Sequence, residues 1–160
     1  MYIPFQQLPP QARVWIYQAS RPLTNAEVAE LQPVLTQFIT QWTSHGQKLQ
    51  ASAQIFHNQF LILANDEDIN SPSGCSIDAS VHFVKELEAK LNVSFFDRTR
   101  LAFLQEDKIS VVPLKEVKQE INAGTITPDS LYFDNTTSTA GQINNSWPKP
   151  AKESWLSRYF

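Results

Sequence analysis

An uninterrupted apolar segment, residues 60–64 with the sequence FLILA, constrains the fold of this chain more than any other feature. Successive side chains of a strand point to opposite faces of a sheet, so a strand without polar residues is covered on both faces. Residues 51–56 before it carry Ala51, Ala53 and Ile55 on one face. His57 and Asn58 between the two segments can form a tight turn, because asparagine tolerates a positive φ. The sequence therefore predicts a hairpin whose second strand is central in a sheet.

A strand and a long amphipathic helix are predicted before this hairpin. Residues 14–17 are all β-branched or aromatic, which is typical of a strand. Thr24 and Glu27 match a capping box at the start of the helix. Pro33 lacks the N–H that a helix interior requires, so we expect a kink or a break near Leu31. The apolar face of the helix repeats every three or four positions and consists of Val28, Leu31, Leu35, Phe38 and Trp42.

A second helix and two more strands follow. Residues 101–104 and 109–112 are predicted strands, joined by a turn at Glu106 and Asp107. The order strand-helix-strand-strand-helix-strand predicts an α+β protein with a two-layer βαββαβ core in the ferredoxin-like order. We place this core domain at residues 1–112. A small C-terminal α/β extension, with an aromatic tail docked on the core, is placed at residues 113–160. The apolar face of the second helix is predicted at Ile77, Val81, Val84, Leu87 and Leu91.

Composition and charge restrict the classes of function. The chain has 160 residues and a formal net charge of −3. A negative chain is poorly suited to binding a phosphate backbone, so we expect no nucleic-acid partner. No apolar run approaches the roughly 20 residues that span a bilayer, so we expect no membrane insertion and a cytoplasmic location. The single cysteine excludes an internal disulfide, and the three histidines lack metal-ligand spacing, so we expect neither a metal nor a cofactor.

The candidate site is the loop of residues 71–80, which is rich in Ser, Pro and Gly and leads into the second helix. Backbone N–H groups at a helix start can bind a ligand. Arg98 could bind a carboxylate of that ligand. The carboxylates of Asp66, Glu67, Asp68 and Asp78 would repel a phosphate. We predict that the ligand-binding residues are Ser73, Gly74, Cys75, Ser76, Asp78 and Arg98.

A thiol-dependent enzyme is the alternative interpretation of the same loop. A thiol at a helix N-terminus can act as a nucleophile when a base and an orienting carboxylate lie beside it. Cys75 would be the nucleophile, His45 the base, and Asp78 or Asp97 the carboxylate. The simpler interpretation, which we favour, is that Cys75 is a small buried apolar residue and that Ser73 or Ser76 caps the helix.

Five short segments spread over nearly the whole chain carry a resemblance to a known family: residues 15–18, 45–46, 74–78, 96–99 and 154–156. Together they resemble a small bacterial family whose members are often labelled "ABC transporter ATPase". The label implies a phosphate-binding loop that contains a Gly-Lys dipeptide. None of the four glycines of this chain is followed by lysine, so we expect no ATPase activity.

A second resemblance covers residues 113–131 together with Trp147 and Ala151. These are similar to the helix, glycine turn and closing tryptophan of bacterial GYF-like modules, which are small domains associated with protein interaction. The alternative is that Leu114, Val117 and Ile121 simply dock a helix on the end of the sheet. Because no complete catalytic set is evident, the sequence favours a non-catalytic protein that binds an unknown protein partner or a small ligand. Self-association as a homodimer stays open.

Overall fold

In the computed structural model, which describes residues 1–160, the chain is an α+β protein with four α-helices and nine strands. The predicted α+β class is confirmed. The chain divides into two compact units, Met1–Phe96 with Ser138–Gly141 and Asp97–Thr137 with Gln142–Phe160. The first unit thus ends at Phe96 and takes in four residues from later in the chain, whereas the predicted core domain covers residues 1–112. None of the helices is long and apolar enough to cross a membrane.

The first unit is built on a three-stranded antiparallel sheet. Its five strands are β1 (Arg13–Gln18), β2 (Thr43–Ser44), β3 (Gln47–Lys48), β4 (Ala51–Phe56) and β5 (Phe60–Asn65). The sheet has the order β1-β5-β4, whereas β2 and β3 form a separate short hairpin. β5 is the central strand, as the apolar segment 60–64 predicts, and all six of its residues are buried, including the polar Asn65.

Tight turns with positive φ connect the hairpins. A two-residue turn in which both central residues have positive φ matches the right-handed twist of the strands that it joins. The predicted turn after β4 is confirmed, because the N–H of Gln59 donates to the carbonyl of Phe56 at 3.0 Å. The residues with positive φ in the three hairpin turns are His45 and Gly46, His57 and Asn58, and Glu106 and Asp107.

The first helix, α1, spans Asn25–Gln41. The predicted capping box is confirmed, since Thr24 and Glu27 exchange both hydrogen bonds between side chain and backbone. The expected break is wrong, because the helix continues through Pro33. A proline removes the hydrogen bond to the carbonyl four residues earlier. Here that carbonyl belongs to Ala29, an exposed residue, so water can replace the missing donor.

The second helix, α2, spans Gly74–Leu91. Three of the predicted apolar-face residues are fully buried, but Ile77 and Val81 are only half-buried. The buried face is turned towards α1, where the ring of Phe83 stacks on the ring of Phe38 at 4.1 Å between centroids. Both helices pack on one face of the sheet, in a core that includes Leu31, Leu35, Leu61, Leu63, Val84 and Leu87.

The outer edge of β1 is paired with a segment distant in sequence. The N–H of Val14 donates to the carbonyl of Ser138, and the N–H of Ala140 donates to the carbonyl of Ala12, both at 2.9 Å. The predicted last strand of the core, residues 101–104, lies within β6 (Arg100–Gln105), which belongs to another sheet. The ferredoxin-like order is therefore not confirmed.

The second unit contains a four-stranded antiparallel sheet. Its other strands are β7 (Lys108–Pro113), β8 (Leu131–Tyr132) and β9 (Lys149–Pro150), and the order is β7-β6-β8-β9. The remaining helices of the chain are α3 (Val117–Asn122) and α4 (Ala140–Ser146). The aromatic tail forms a 3-10 helix over Trp155–Tyr159. Its Leu156 is fully buried in a cluster with Leu101, Phe103, Val117, Ile126, Tyr132 and Ala151.

An ion pair links the loop after β1 to both helices of the first unit. Two guanidinium nitrogens of Arg21 donate to the carboxylate of Glu27, each at 2.9 Å, and one also donates to the carbonyl of Leu91 at 2.7 Å. The hydrogen bond from Arg21 lowers the pKa of Glu27 to about 2, with a further contribution from the Thr24 backbone N–H. The ionised carboxylate is thus the form that the folded state prefers.

We expect the Glu27 interaction to make folding pH-dependent. Because the folded-state pKa is below the ordinary value of 4.5, the stabilisation is present above pH 4.5 and is lost as the pH falls towards about 2. Glu27→Gln should lower the melting temperature near neutral pH and flatten its decline over this acidic range. Glu30→Gln, an exposed position on the same helix, is the control. Identical acid profiles for wild type and Glu27→Gln, measured by circular dichroism, would contradict this assignment.

Candidate functional site

The predicted loop forms a capped start of α2. The N–H of Ser76 donates to the Ser73 hydroxyl at 3.1 Å, and the N–H of Ser73 donates to the Ser76 hydroxyl at 3.0 Å. This reciprocal pair satisfies two backbone donors that a helix start otherwise leaves open. The prediction that Ser73 or Ser76 caps the helix is confirmed, and both residues take part.

Ser76 also fastens α2 to the end of α1 and to β2. Its hydroxyl donates to the carbonyl of Thr43 at 2.7 Å. Its own carbonyl accepts the indole N–H of Trp42 at 2.8 Å, and this hydrogen bond is buried. A hydrogen bond shielded from water contributes more than an exposed one. These two contacts fix the distance between the end of α1 and the first turn of α2.

A pocket of about 370 Å³ lies at this junction. It is confined to the first unit and is open to solvent on one side. Phe38 and Trp42 contribute aromatic rings whose centroids are 5.5 Å apart. The complete lining consists of Phe38, Gln41, Trp42, Thr43, His45, Ser73, Cys75, Ser76 and Ala79.

Cys75 is exposed, so the interpretation that we favoured, a buried apolar cysteine, is wrong. Adjacent residues of a helix point about 100° apart. Its neighbour Ser76 is only 2% exposed, whereas Cys75 is exposed and lines the pocket. The β2–β3 turn brings His45 to the same pocket. The structure thus places three predicted ligand-binding residues, Ser73, Cys75 and Ser76, with the predicted base.

The other predicted site residues do not line this pocket. Gly74 and Asp78 are exposed on the first turns of α2 but are not part of the lining. Asp97 and Arg98 belong to the second unit. There Asp97 accepts hydrogen bonds from the N–H of Thr99 at 2.9 Å and from its hydroxyl at 2.6 Å, and these bonds lower its pKa. The lining therefore contains no carboxylate, and the orienting member of the proposed catalytic set is missing from the pocket.

Sequence reasoning missed the α1 side of the pocket. Phe38 and Trp42 continue the apolar periodicity of α1, and this pattern predicts core residues rather than a site. Trp42 is indeed only 3% exposed, and its ring also meets Trp15 edge to face at 5.9 Å. One available signal was their position at the helix end, directly before the turn that carries His45. Gln41, Thr43 and Ala79 gave no comparable signal.

The polar groups of the pocket fall into two classes. The hydroxyls of Ser73 and Ser76 and the indole N–H of Trp42 are used within the protein. The side chains of the second class form no hydrogen bond within the chain, so they are available to a ligand: Gln41, Thr43, His45 and Cys75. No group of three or more His, Cys, Asp or Glu side chains in the structure could hold a metal ion.

We expect the caps to contribute measurably to stability. Ser73→Ala should lower the free energy of unfolding by about 0.5–2 kcal/mol, because one backbone donor loses its partner. Ser76→Ala should cost more than Ser73→Ala, since it also removes the hydrogen bond to the Thr43 carbonyl. Ser71→Ala, at an exposed position outside the cap, is the control. Urea denaturation measures all three, and equal losses for Ser76→Ala and Ser71→Ala would contradict the role of Ser76.

Comparison with known proteins finds no matching protein-family model, no similar curated protein and no similar solved structure. The geometry and chemistry of the pocket are therefore the basis for the function proposed below.

Proposed function

We propose that the pocket between the end of α1 and the start of α2 binds a small uncharged ligand without transforming it. The observation that carries this proposal is that Ser73, Cys75 and Ser76 share one pocket with the rings of Phe38 and Trp42. Small-molecule sites are concave, largely apolar and equipped with a few polar groups that fix orientation. A volume of about 370 Å³ is near the small end of the range for such sites.

The lining determines the class of ligand. It includes no Asp, Glu, Lys or Arg, so no carboxylate, ammonium or guanidinium group in it compensates the desolvation of an ionised ligand. The two aromatic rings favour a flat ring or another apolar group, and Gln41, Thr43 and His45 offer hydrogen bonds to one or two polar atoms. We therefore infer a neutral molecule that combines an apolar ring with polar substituents. A phosphate ester fits this lining poorly.

A thiol-dependent enzyme is the second candidate function. The observation in its favour is that Cys75 is exposed and lines the same pocket as His45. Against it, the pocket lining supplies no carboxylate that could orient the imidazole. A cysteine and histidine without that third group form an incomplete catalytic set.

The sequence resemblances lead to two subordinate proposals. We propose that residues 113–151 act as a GYF-like protein-interaction module. The 3-10 turn at Leu114–Glu116, helix α3 and the positive φ of Gly124 support this proposal. We also propose that the protein is cytoplasmic and has no ATPase activity, since it lacks the Gly-Lys dipeptide of a phosphate-binding loop.

Filling the pocket should weaken ligand binding. Ala79 is exposed and lines the pocket, so Ala79→Trp should occupy its volume without removing a core contact. We expect neutral aromatic fragments to shift the NMR signals of His45 and Gln41 in the wild type. Their affinity for Ala79→Trp should fall at least about tenfold, or about 1.4 kcal/mol. Ala89→Trp, at an exposed position on the same helix but outside this pocket, is the matched control. Unchanged affinity in Ala79→Trp would exclude this site.

Thiol reactivity separates the two candidate functions. For a binding protein we expect Cys75 to react with a disulfide reagent at a rate close to that of glutathione at neutral pH. His45→Ala should leave this rate unchanged, and a fragment bound in the pocket should slow it. A rate about tenfold or more above that of glutathione, abolished by His45→Ala, would instead support the enzyme.

A further inference from the structure

Strand β7 leaves one edge of the second-unit sheet open. It pairs with β6 on one side, and no strand pairs with its other side. Lys108 begins the strand and Pro113 ends it, with Ile109, Ser110, Val111 and Val112 between. An unpaired strand edge presents a row of free N–H and C=O groups that another strand can use.

The hydrogen-bond alternation identifies which backbone groups are free. Glu106 and Asp107 form a two-residue turn, so Gln105 and Lys108 are its closing hydrogen-bonded pair. At the other end of the hairpin, the N–H of Leu114 donates to the carbonyl of Thr99 at 2.7 Å, which fits the same alternation. The residues between therefore alternate: Ser110 and Val112 face β6, whereas Ile109 and Val111 point their backbone groups outward.

We propose that a second copy of this chain pairs with β7, antiparallel and symmetric about Ser110. In this register Ile109 of each copy lies opposite Val111 of the other, and both pairs exchange two backbone hydrogen bonds. The two four-stranded sheets then form one continuous sheet across a twofold axis. Such an isologous contact closes on itself, so it gives a dimer rather than a fibre.

The neighbouring registers of this strand pair form fewer backbone hydrogen bonds. A shift by one residue would put an inward-facing backbone group opposite an outward-facing one. A shift by two residues one way pairs Ile109 with Pro113, which has no N–H to donate. A shift by two the other way pairs Val111 with Asp107, whose φ of 64° belongs to the turn and not to a strand. Proline and the turn thus limit pairing to a single register.

An apolar row on the surface of the sheet fits the same register. A row of apolar residues crosses the sheet through Ile109, Leu104, Leu131 and Pro150, and Leu131 is 38% exposed. Val111 of the second copy would extend this row beyond Ile109 and shield its end from water.

The acidic turn of one copy meets the end of β7 of the other. In the proposed register, Glu106 and Asp107 of the second copy lie opposite Leu114 and Pro113. These two residues line a cleft of about 590 Å³ whose charged residues are Asp97, Arg100, Lys115 and Glu116. Leu114 is 42% exposed, and Lys115 is exposed and forms no ion pair. Asp97 and Arg100 pair with each other at 3.6 Å, so Lys115 is the positive charge that can approach the acidic turn, and the adjacent Glu116 offsets part of this attraction.

Cysteine cross-linking at the twofold axis tests the register. Ser110 would face Ser110 of the second copy as a non-hydrogen-bonded pair, with Cα atoms about 4.5 Å apart. A disulfide accepts Cα separations of about 4.4–6.8 Å. We expect Ser110→Cys in a Cys75→Ser background to form a disulfide-linked dimer under mild oxidation. Lys108→Cys in the same background is the matched control. Its two copies would be offset by four residues, about 13 Å along the strand, and should not cross-link.

The unmodified chain provides an independent readout. Its mass in analytical ultracentrifugation should rise from 18.2 kDa towards twice that value with increasing concentration. Val111→Pro removes an outward N–H but no hydrogen bond to β6, so it should weaken dimerisation about tenfold or more. A mass of 18.2 kDa at every concentration would overturn the proposal and leave the edge open to an extended peptide of another protein. Equal cross-linking of Ser110→Cys and Lys108→Cys would overturn it as well.

Discussion

Burial of β5 on both faces is the constraint on which the first unit depends. A strand without polar side chains is stable only as the central strand of a covered sheet, so it needs a partner on each side and a layer on each face. β1 and β4 supply the partners, and α1 and α2 cover the face that carries Leu61 and Leu63. Packing two helices side by side on one face brings the end of α1 next to the start of α2.

The junction between the end of α1 and the start of α2 contains buried polar groups, whereas the rest of the contact between the two helices is apolar. Ser76 is almost completely buried, and each of its polar groups has a partner: the hydroxyl binds the Thr43 carbonyl, and the carbonyl binds the indole of Trp42. Buried polar groups are tolerated when every one of them is satisfied. The same contacts hold the aromatic rings beside the helix start, so the residue that caps α2 also determines the shape of the pocket.

Edge strands explain why the fold departs from the predicted core. The outer edge of β1 is paired with residues 138–140. The backbone groups that take part in this pairing are therefore not free to pair with residues 101–104. They pair instead with β7 and β8, which lie close in sequence and close a local sheet. The order of elements along a chain does not by itself specify which edges they pair with. In the second sheet β7 is left as an open edge, and dimerisation through it is the consequence that we propose.

The sequence by itself determined the features that depend on a few neighbouring residues. These include the central position of β5, the caps at Thr24 and at Ser73 or Ser76, and the tight turn at His57 and Asn58. Only the tertiary structure decided the exposure of Cys75, the place of Trp42 and His45 in one pocket, and the sheet to which β6 belongs. Trp42 and Ser76 are 34 positions apart, and the hydrogen bond between them depends on the packing of both helices on the sheet. Periodicity and capping act within one or two turns of a helix, so they cannot encode contacts over such separations.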